Sequence, residues 1–326
     1  MTGKIFANGI IRIGDMTPAQ FEQLKAAHER ATLAEPGCIA FTITKHAHVP
    51  EWYVVKEEFH DREAFEAHTA RTRASDWWTA TRHLERDIIV TETPNQAALE
   101  GWTAPAAPPD DLVLRGQRVR LERLSVATHA ADLFDANSAA ANWAYLPYGP
   151  FDHLSDYADW IGATCTGNDP HFMAVIDLAT GKAVGIASYL RINPDAGSIE
   201  VGHINFSPLL QRTPAATEAM FLMMQWAFEA GYRRYEWKCN AANMPSRRAA
   251  IRLGLSYEGI FRNHMPVKGH NRDTAWFAAI DAEWPSLNRA FKRWLAAGNF
   301  DADGKQQDRL SVLTAPFLAN MDPGQT

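Results

Sequence analysis

Two strand–helix units in succession, between residues 199 and 254, constrain this chain more than any other stretch. Ile199-Glu200-Val201-Gly202-His203-Ile204-Asn205-Phe206 reads as a strand. Gln211-Arg212-Thr213-Pro214-Ala215-Ala216-Thr217-Glu218-Ala219 then opens an apolar helix running to about Ala230. Arg234–Cys239 reads as a second strand, and Asn243-Met244-Pro245-Ser246 starts a second helix ending at Leu253-Gly254. Proline suits the first turn of a helix, where its missing N–H has no intrahelical acceptor to lose. A helix N-terminus leaves backbone N–H groups without partners and carries a positive partial charge. The first of these helices therefore offers an anion site that needs few basic side chains.

A chain of 326 residues has room for two ordinary domains. Its hydrophobic fraction of 46% and charged fraction of 21% are those of a soluble globular protein. A formal net charge of -6 argues against general nucleic-acid binding. Cys38, Cys165 and Cys239 are scattered, lack metal-ligand spacing and fit reduced thiols better than a disulfide framework. Met1-Thr2-Gly3-Lys4 leads into a short apolar strand rather than a signal-peptide core. No apolar run approaches the roughly 20 residues a membrane helix needs. The expectation is a cytoplasmic enzyme with no metal, membrane or nucleic-acid partner.

Residues 93–111, with Pro94, Pro105, Pro108 and Pro109, cannot continue a helix or a central strand. The expected organisation is a first domain over 1–95, a Pro/Ala-rich linker over 96–111, a second domain over 112–297 and a tail over 298–326. Before the linker the pattern is strand, helix, strand, strand, helix, strand. Thr17 and Pro18 look like a helix entry, Cys38–Thr44 and Trp52–Phe59 like strands, and Ile88–Val90 closes the unit. That order predicts a ferredoxin-like α+β sandwich.

The run Glu35-Pro36-Gly37-Cys38, the strand Trp52–Phe59 and Arg62-Glu63-Ala64-Phe65-Glu66-Ala67-His68 resemble the antibiotic-biosynthesis monooxygenase (ABM) family. The resemblance implies pairing of sheet edges into a homodimer. Some members oxidise aromatic substrates without metal or flavin, so Trp77, Trp78, His68 and His83 are candidates for a pocket. The alternative is that these aromatics pack and the domain serves assembly or ligand binding.

Beyond the linker, Leu112–Leu124 reads as an opening strand with alternating apolar residues. Helices around 127–137 and 153–166 precede a meander over Phe172–Asp177, Gly185–Arg191 and Ser198–Phe206. The two strand–helix units and a late strand, Asp273–Ile280, complete the order. Over residues 112–285 this order resembles the GNAT acyltransferases, in their ribosomal-protein N-acetyltransferase branch. The resemblance implies a mixed sheet flanked by helices, acetyl-CoA as acyl donor and transfer to an amine.

The GNAT pattern Gln/Arg-x-x-Gly-x-Gly/Ala falls on Gln211 to Ala216, with Pro214 where glycine is usual. Small residues at Ala215 and Ala216 let phosphates approach the helix start, where Arg212, Thr213 and Thr217 stand near as further donors. The resemblance also places the thioester oxygen against backbone N–H groups of Asn205-Phe206-Ser207. Asn243 corresponds to an asparagine on the CoA arm, and Ser246 to a serine that protonates the departing thiolate. Both are also readable as parts of a capped helix start, and Ser207 is equally readable as a plain strand-end residue. Glu200 is the candidate base, since an ammonium must lose a proton before it attacks; a structural hydrogen bond is the other reading.

Trp143, Tyr145 and Tyr148, within Trp143–Phe151, either stack on a flat acceptor or form a packed lid. His264, Lys268, His270, Arg272 and Asp273 read as a solvated hairpin. Trp284, Phe291, Trp294 and Leu295 recur at helical spacing and are expected to bury one helix face. The expected function is acetyl-CoA-dependent acetylation of an amine on a small metabolite or antibiotic. A bifunctional monooxygenase/acetyltransferase and a CoA-binding sensor without turnover are the alternatives.

Overall fold

The computed structural model describes residues 3–47, 49–93, 99 and 101–325. Residues 94–98 and 100 of the expected proline-rich connection lie outside the described residues. The chain divides into two units, Met1–Gly101 with Phe300–Phe317, and Trp102–Asn299 with Leu318–Thr326.

The first unit runs β1 (Lys4–Arg12), α1 (Pro18–Leu33), β2 (Cys38–Lys45), β3 (Trp52–Phe59), α2 (Arg62–Arg73), α3 (Asp76–Thr81) and β4 (Glu85–Thr93). Its sheet has the order β2-β3-β1-β4, with antiparallel pairing throughout. This is the ferredoxin-like sandwich that the sequence predicts. At the start of α1 the Thr17 side chain accepts from Gln20 N–H, and the Gln20 side chain accepts from Thr17 N–H. The buried face of α1 carries Phe21 and His28. Phe21 packs on Tyr53 at 4.3 Å between ring centroids and on Trp77 at 5.3 Å. A short helix at Leu310–Thr314 also belongs to this unit, with Leu310 and Leu313 buried.

The second unit runs β5 (Leu114–Arg115), β6 (Val119–Arg123), α4 (Val126–Ala136), α5 (Leu154–Thr164), β7 (His171–Asp177), β8 (Ala183–Asn193), β9 (Ser198–Phe206) and α6 (Pro214–Glu229). It continues with β10 (Arg234–Asn240), α7 (Met244–Arg252), β11 (Ser256–Val267), β12 (His270–Ile280) and α8 (Trp284–Leu295). The sheet order is β11-β12-β10-β9-β8-β7-β6-β5. Among the described residues β9 and β10 form its one parallel pair. This is the mixed sheet with flanking helices that the sequence predicts.

Two local differences have clear causes. The single strand expected over 112–124 is broken into β5 and β6 by a turn held from outside. The buried Glu218 carboxylate on α6 accepts from the backbone N–H groups of Gln117, Arg118 and Val119 at 3.1, 2.6 and 2.9 Å. Residues 256–267, for which the sequence predicted no strand, form β11 by pairing with β12, and two register shifts interrupt their alternation. The expected apolar face of α8 packs on α6, with Phe221 against Phe291 and Phe228 against Trp284 at 5.2 and 5.1 Å.

The feature that creates a site is a divergence of strands. β9 and β10 pair only from Ser198/Arg234 to Val201/Trp237, yet both run several residues further. Against β8, three steps along β9 oppose two, since Ile186 faces Asn205 and Ser188 faces Gly202. The extra residue is a bulge. His203 lies within it, in the left-handed region at φ 50.

Candidate active site

Glu200 stands on β9 just before the strands part, and it is buried. Arg191 Nη1 donates to both of its carboxylate oxygens at 2.8 Å, and Lys238 Nζ on β10 reaches one of them at 2.8 Å. Lys238 also pairs with Glu236 at 2.8 Å. Burial raises the Glu200 pKa, while Lys238 and Arg191 oppose that rise. A carboxylate offers about four lone-pair sites, and these contacts leave room for one more donor.

Beyond Val201 the edge of β9 that faced β10 has no parallel partner among the described residues. Asn205 on this stretch is buried. Its Oδ1 accepts from Asn142 Nδ2 at 2.6 Å, while its own Nδ2 is buried with no partner among the described residues. Asn142 Nδ2 also donates to the Phe206 carbonyl at 3.0 Å. Gln211 Nε2 donates to Asn142 Oδ1 and to Phe206 O at 2.6 and 2.7 Å, so its amide is engaged inside the protein. Ser207 is fully buried, and its Oγ lacks a partner among the described residues.

Arg212, at φ 63, turns the chain into α6. Thr213 is the N-cap; its Oγ1 accepts from Ala216 N–H at 3.1 Å and donates to Leu210 O at 2.6 Å. Pro214 occupies the first helical turn and has no N–H to give. Of the first three helical residues, Ala215 therefore keeps the uncommitted N–H. Thr217 is buried, its Oγ1 accepting from Arg252 Nη1 at 3.1 Å.

At the start of α7, Asn243 is the N-cap and its Oδ1 accepts from Ser246 N–H at 3.2 Å. Trp237 Nε1 donates to Ser246 Oγ at 3.0 Å. The indole thereby occupies a lone pair of the hydroxyl, so the O–H is the group's remaining donor. Burial raises the pKa of the neighbouring Cys239 thiol, and a hydrogen bond from Ser246 works against that rise.

The aromatic loop divides in its roles. Trp143 is buried, and its indole donates to Asn137 O at 2.9 Å. It packs with Phe151, Tyr157 and Trp160 as part of a core. Tyr145 is exposed, and its hydroxyl donates to Ala242 O, just before α7, at 3.2 Å. Tyr148 is bonded to His203 Nδ1 at 2.9 Å with the two rings stacked. Burial, with Arg191 and Arg272 nearby, lowers the His203 pKa to about 4, so the imidazole is neutral at pH 7.

Sequence reasoning missed Asn142, Arg191, His203 and Lys238. A polar residue at strand spacing looks the same whether it faces solvent or a cleft. Only the β9–β10 register brings Lys238 to Glu200.

Comparison with known proteins bears on these residues. The family described as acetyltransferase (GNAT) domain matches residues 118–256, and that described as antibiotic biosynthesis monooxygenase matches residues 16–80. A GCN5-related N-acetyltransferase from Brucella melitensis is 45% identical with a TM-score of 0.65, over 67% of this chain and 100% of that one. A probable GNAT-family acetyltransferase from Chromobacterium violaceum ATCC 12472 is 39% identical with a TM-score of 0.56, over 59% of this chain and 97% of that one. Uncharacterized N-acetyltransferase YnaD of Bacillus subtilis (strain 168) is 29% identical over 86 residues, and this match covers 50% of YnaD and 26% of this chain. The chain thus belongs to the GNAT family of acetyltransferases and is an acyltransferase that carries an ABM-like domain ahead of its transferase domain.

Proposed function

We propose that this protein transfers an acetyl group directly from acetyl-CoA to the amine of a small metabolite or antibiotic. The observation that carries this reading is the divergence of β9 from β10 beside two helix starts. The residues fit a coenzyme A thioester. Among the described residues the parted edge of β9 has no strand beside it and Asn205 Nδ2 is buried without a partner, and Ala215 and Ala216 keep the approach to α6 open. Acetyl-CoA, when bound, supplies the activated acyl carbon. Arg212 and the Ala215 N–H would hold phosphate at the start of α6, with Ala216 leaving it room, and Asn243 would meet the cofactor arm. The Phe206 N–H, whose residue turns its backbone away from β8, stabilises negative charge on an oxygen at the cleft; the Ser207 N–H expected beside it is taken by the Val184 carbonyl at 3.0 Å. Glu200 takes the proton of the amine, directly or through water, and Ser246 donates its hydroxyl proton to the sulfur that leaves.

Calorimetric titration with acetyl-CoA tests the reading. Saturable one-site binding, weakened in Arg212→Ala and Asn243→Ala, is the expected result. No binding by the wild-type chain sinks it.

The first unit serves as a homodimerisation or substrate-holding module. Its sheet has two edge strands, β2 and β4, which carry the exposed apolar residues Ile39 and Val90. Sedimentation of the full chain measures the oligomeric state. A second reading, oxidation of a small aromatic compound by this unit, is favoured by a cleft of about 780 Å³. Trp77 and His83 line this cleft together with His28, which stacks on Trp77 at 4.7 Å. His68 lies behind His28 and binds Glu35, while Trp78 sits under Arg86. Oxygen consumption by the full chain with aromatic substrates tests that reading.

A further inference from the structure

The β11–β12 hairpin was expected to be solvated, yet its tip is anchored. Lys268 Nζ donates to the carbonyl oxygens of Trp143 and Gly149 at 3.1 and 2.7 Å. The hairpin therefore spans from β10 to the aromatic loop that holds Tyr148 against His203. On β12, Trp276 lies under Lys238, with the ammonium 3.8 Å from its ring centroid. Side chains alternate along a strand, so Thr274 and Arg272 share the face of Trp276. This face leads from the Glu200 group toward the anchored tip.

Among the described residues, each cation of this group but one has a partner. Lys238 and Arg191 are held by Glu200 and Glu236, and Lys268 by two carbonyls. Arg272 is half-buried, and its Nε is enclosed without an acceptor among the described residues. Glu200 is the carboxylate whose field reaches it, but that group is already engaged. Asp273, its neighbour in sequence, accepts instead from Asn263 N–H and Asn271 Nδ2. A guanidinium stays charged at every working pH, and enclosing it unpaired is costly. A fork of donors left open in this way matches a carboxylate or a phosphate.

We propose that Arg272 recognises the acceptor, binding a carboxylate or phosphate on the same molecule whose amine is acetylated. This rests on the transferase reading above and names the substrate class for it. The acceptor is then an amine that also bears an anionic group, and Arg272 sets specificity.

The full chain is titrated by calorimetry with two matched pairs of acetylated probes. N-acetylphenylalanine against its amide is the carboxylate arm, and N-acetyl-O-phosphoserine amide against N-acetylserine amide is the phosphate arm. The anionic member of one pair is expected to bind about 10- to 100-fold more tightly, the range of a charge-assisted contact. Arg272→Gln is expected to abolish that preference and Arg272→Lys to restore part of it, with the melting temperature checked for each variant. Equal binding within both pairs, no binding of any probe, or a preference that survives in Arg272→Gln overturns the proposal. Acetyl-CoA titrations on the same samples separate the two readings. A charge preference without acetyl-CoA binding defeats the transferase reading, whereas acetyl-CoA binding without a charge preference defeats only the role of Arg272.

Discussion

Lys238 Nζ lies 2.8 Å from a carboxylate oxygen of Glu200. The ammonium also rests on the Trp276 ring, so a tripod of charge, carboxylate and aromatic face fixes it at the point where β9 and β10 separate. Burial alone drives Glu200 toward its neutral form, and the two nearby cations hold it back. The balance sets a proton acceptor whose strength is tuned by its neighbours.

Replacing Lys238 by Met is expected to raise the Glu200 pKa, because the leading opposing charge is gone. A base works when ionised, so the acidic limb of kcat/KM should move to higher pH. Glu200→Gln should lower kcat/KM by about 100-fold or more, the scale of general-base catalysis. A pH–rate profile that does not move in Lys238→Met would separate Glu200 from the proton transfer.

Ser246→Ala removes the donor that Trp237 orients. We expect kcat to fall by about 100-fold, the lower end of acid–base effects, with acetyl-CoA affinity changed little. Trp237→Phe should lower kcat in the same direction by a smaller factor. Steady-state kinetics with thiol detection measure both; equal kcat in wild type and Ser246→Ala would remove the serine from the reaction.

Glu218→Ala is expected to destabilise the protein by about 3 kcal/mol, since three backbone N–H groups lose their acceptor and each orphaned group costs about 1–3 kcal/mol. Gly116→Ala should act on the same joint, because a Cβ there would come 2.4 Å from the Glu218 carboxylate. Thermal and urea unfolding would report both. An unchanged midpoint in Glu218→Ala would show that the turn finds other partners.

The first unit should lose stability as pH rises through neutrality. Burial, helped by Glu35, pushes the Glu57 pKa up to about 8 from 4.5, so the folded carboxyl keeps its proton where the unfolded chain has lost it. That contribution is complete below pH 4.5 and disappears as pH approaches 8. His28 acts at the other end. Its pKa is lowered to about 3 by burial and by Arg71, so its contribution holds above pH 6.5 and is lost as pH falls. Melting temperature should drop between pH 6.5 and pH 8, where the His28 contribution no longer changes, and drop less in Glu57→Gln.

Much of the fold was legible because its signals are local. Thr17 and Pro18 announced α1, and Thr213 and Asn243 stand at the starts of α6 and α7. A cap and a proline act on their own helix turn, so neighbouring residues suffice to read them. Strand β11 was missed for the opposite reason. Its bulges break the period of two, and only the partner strand defines it.

The sequence by itself determined most of the elements, their order and the family, and hence the chemistry to expect. It also named Glu200, Asn205, Asn243 and Ser246, which lie along β9 or at the start of α7. The tertiary structure decided the company these residues keep. Lys238 meets Glu200 because two strands pair in parallel for four residues and then part. Arg272 faces the same region because β12 lies against β10 and the hairpin tip is tied to the aromatic loop. Local turns and caps follow from neighbouring residues, but charge pairing depends on which distant segments are brought within a few ångströms. That is set by strand register and packing, neither of which is written in the spacing of residues along one strand.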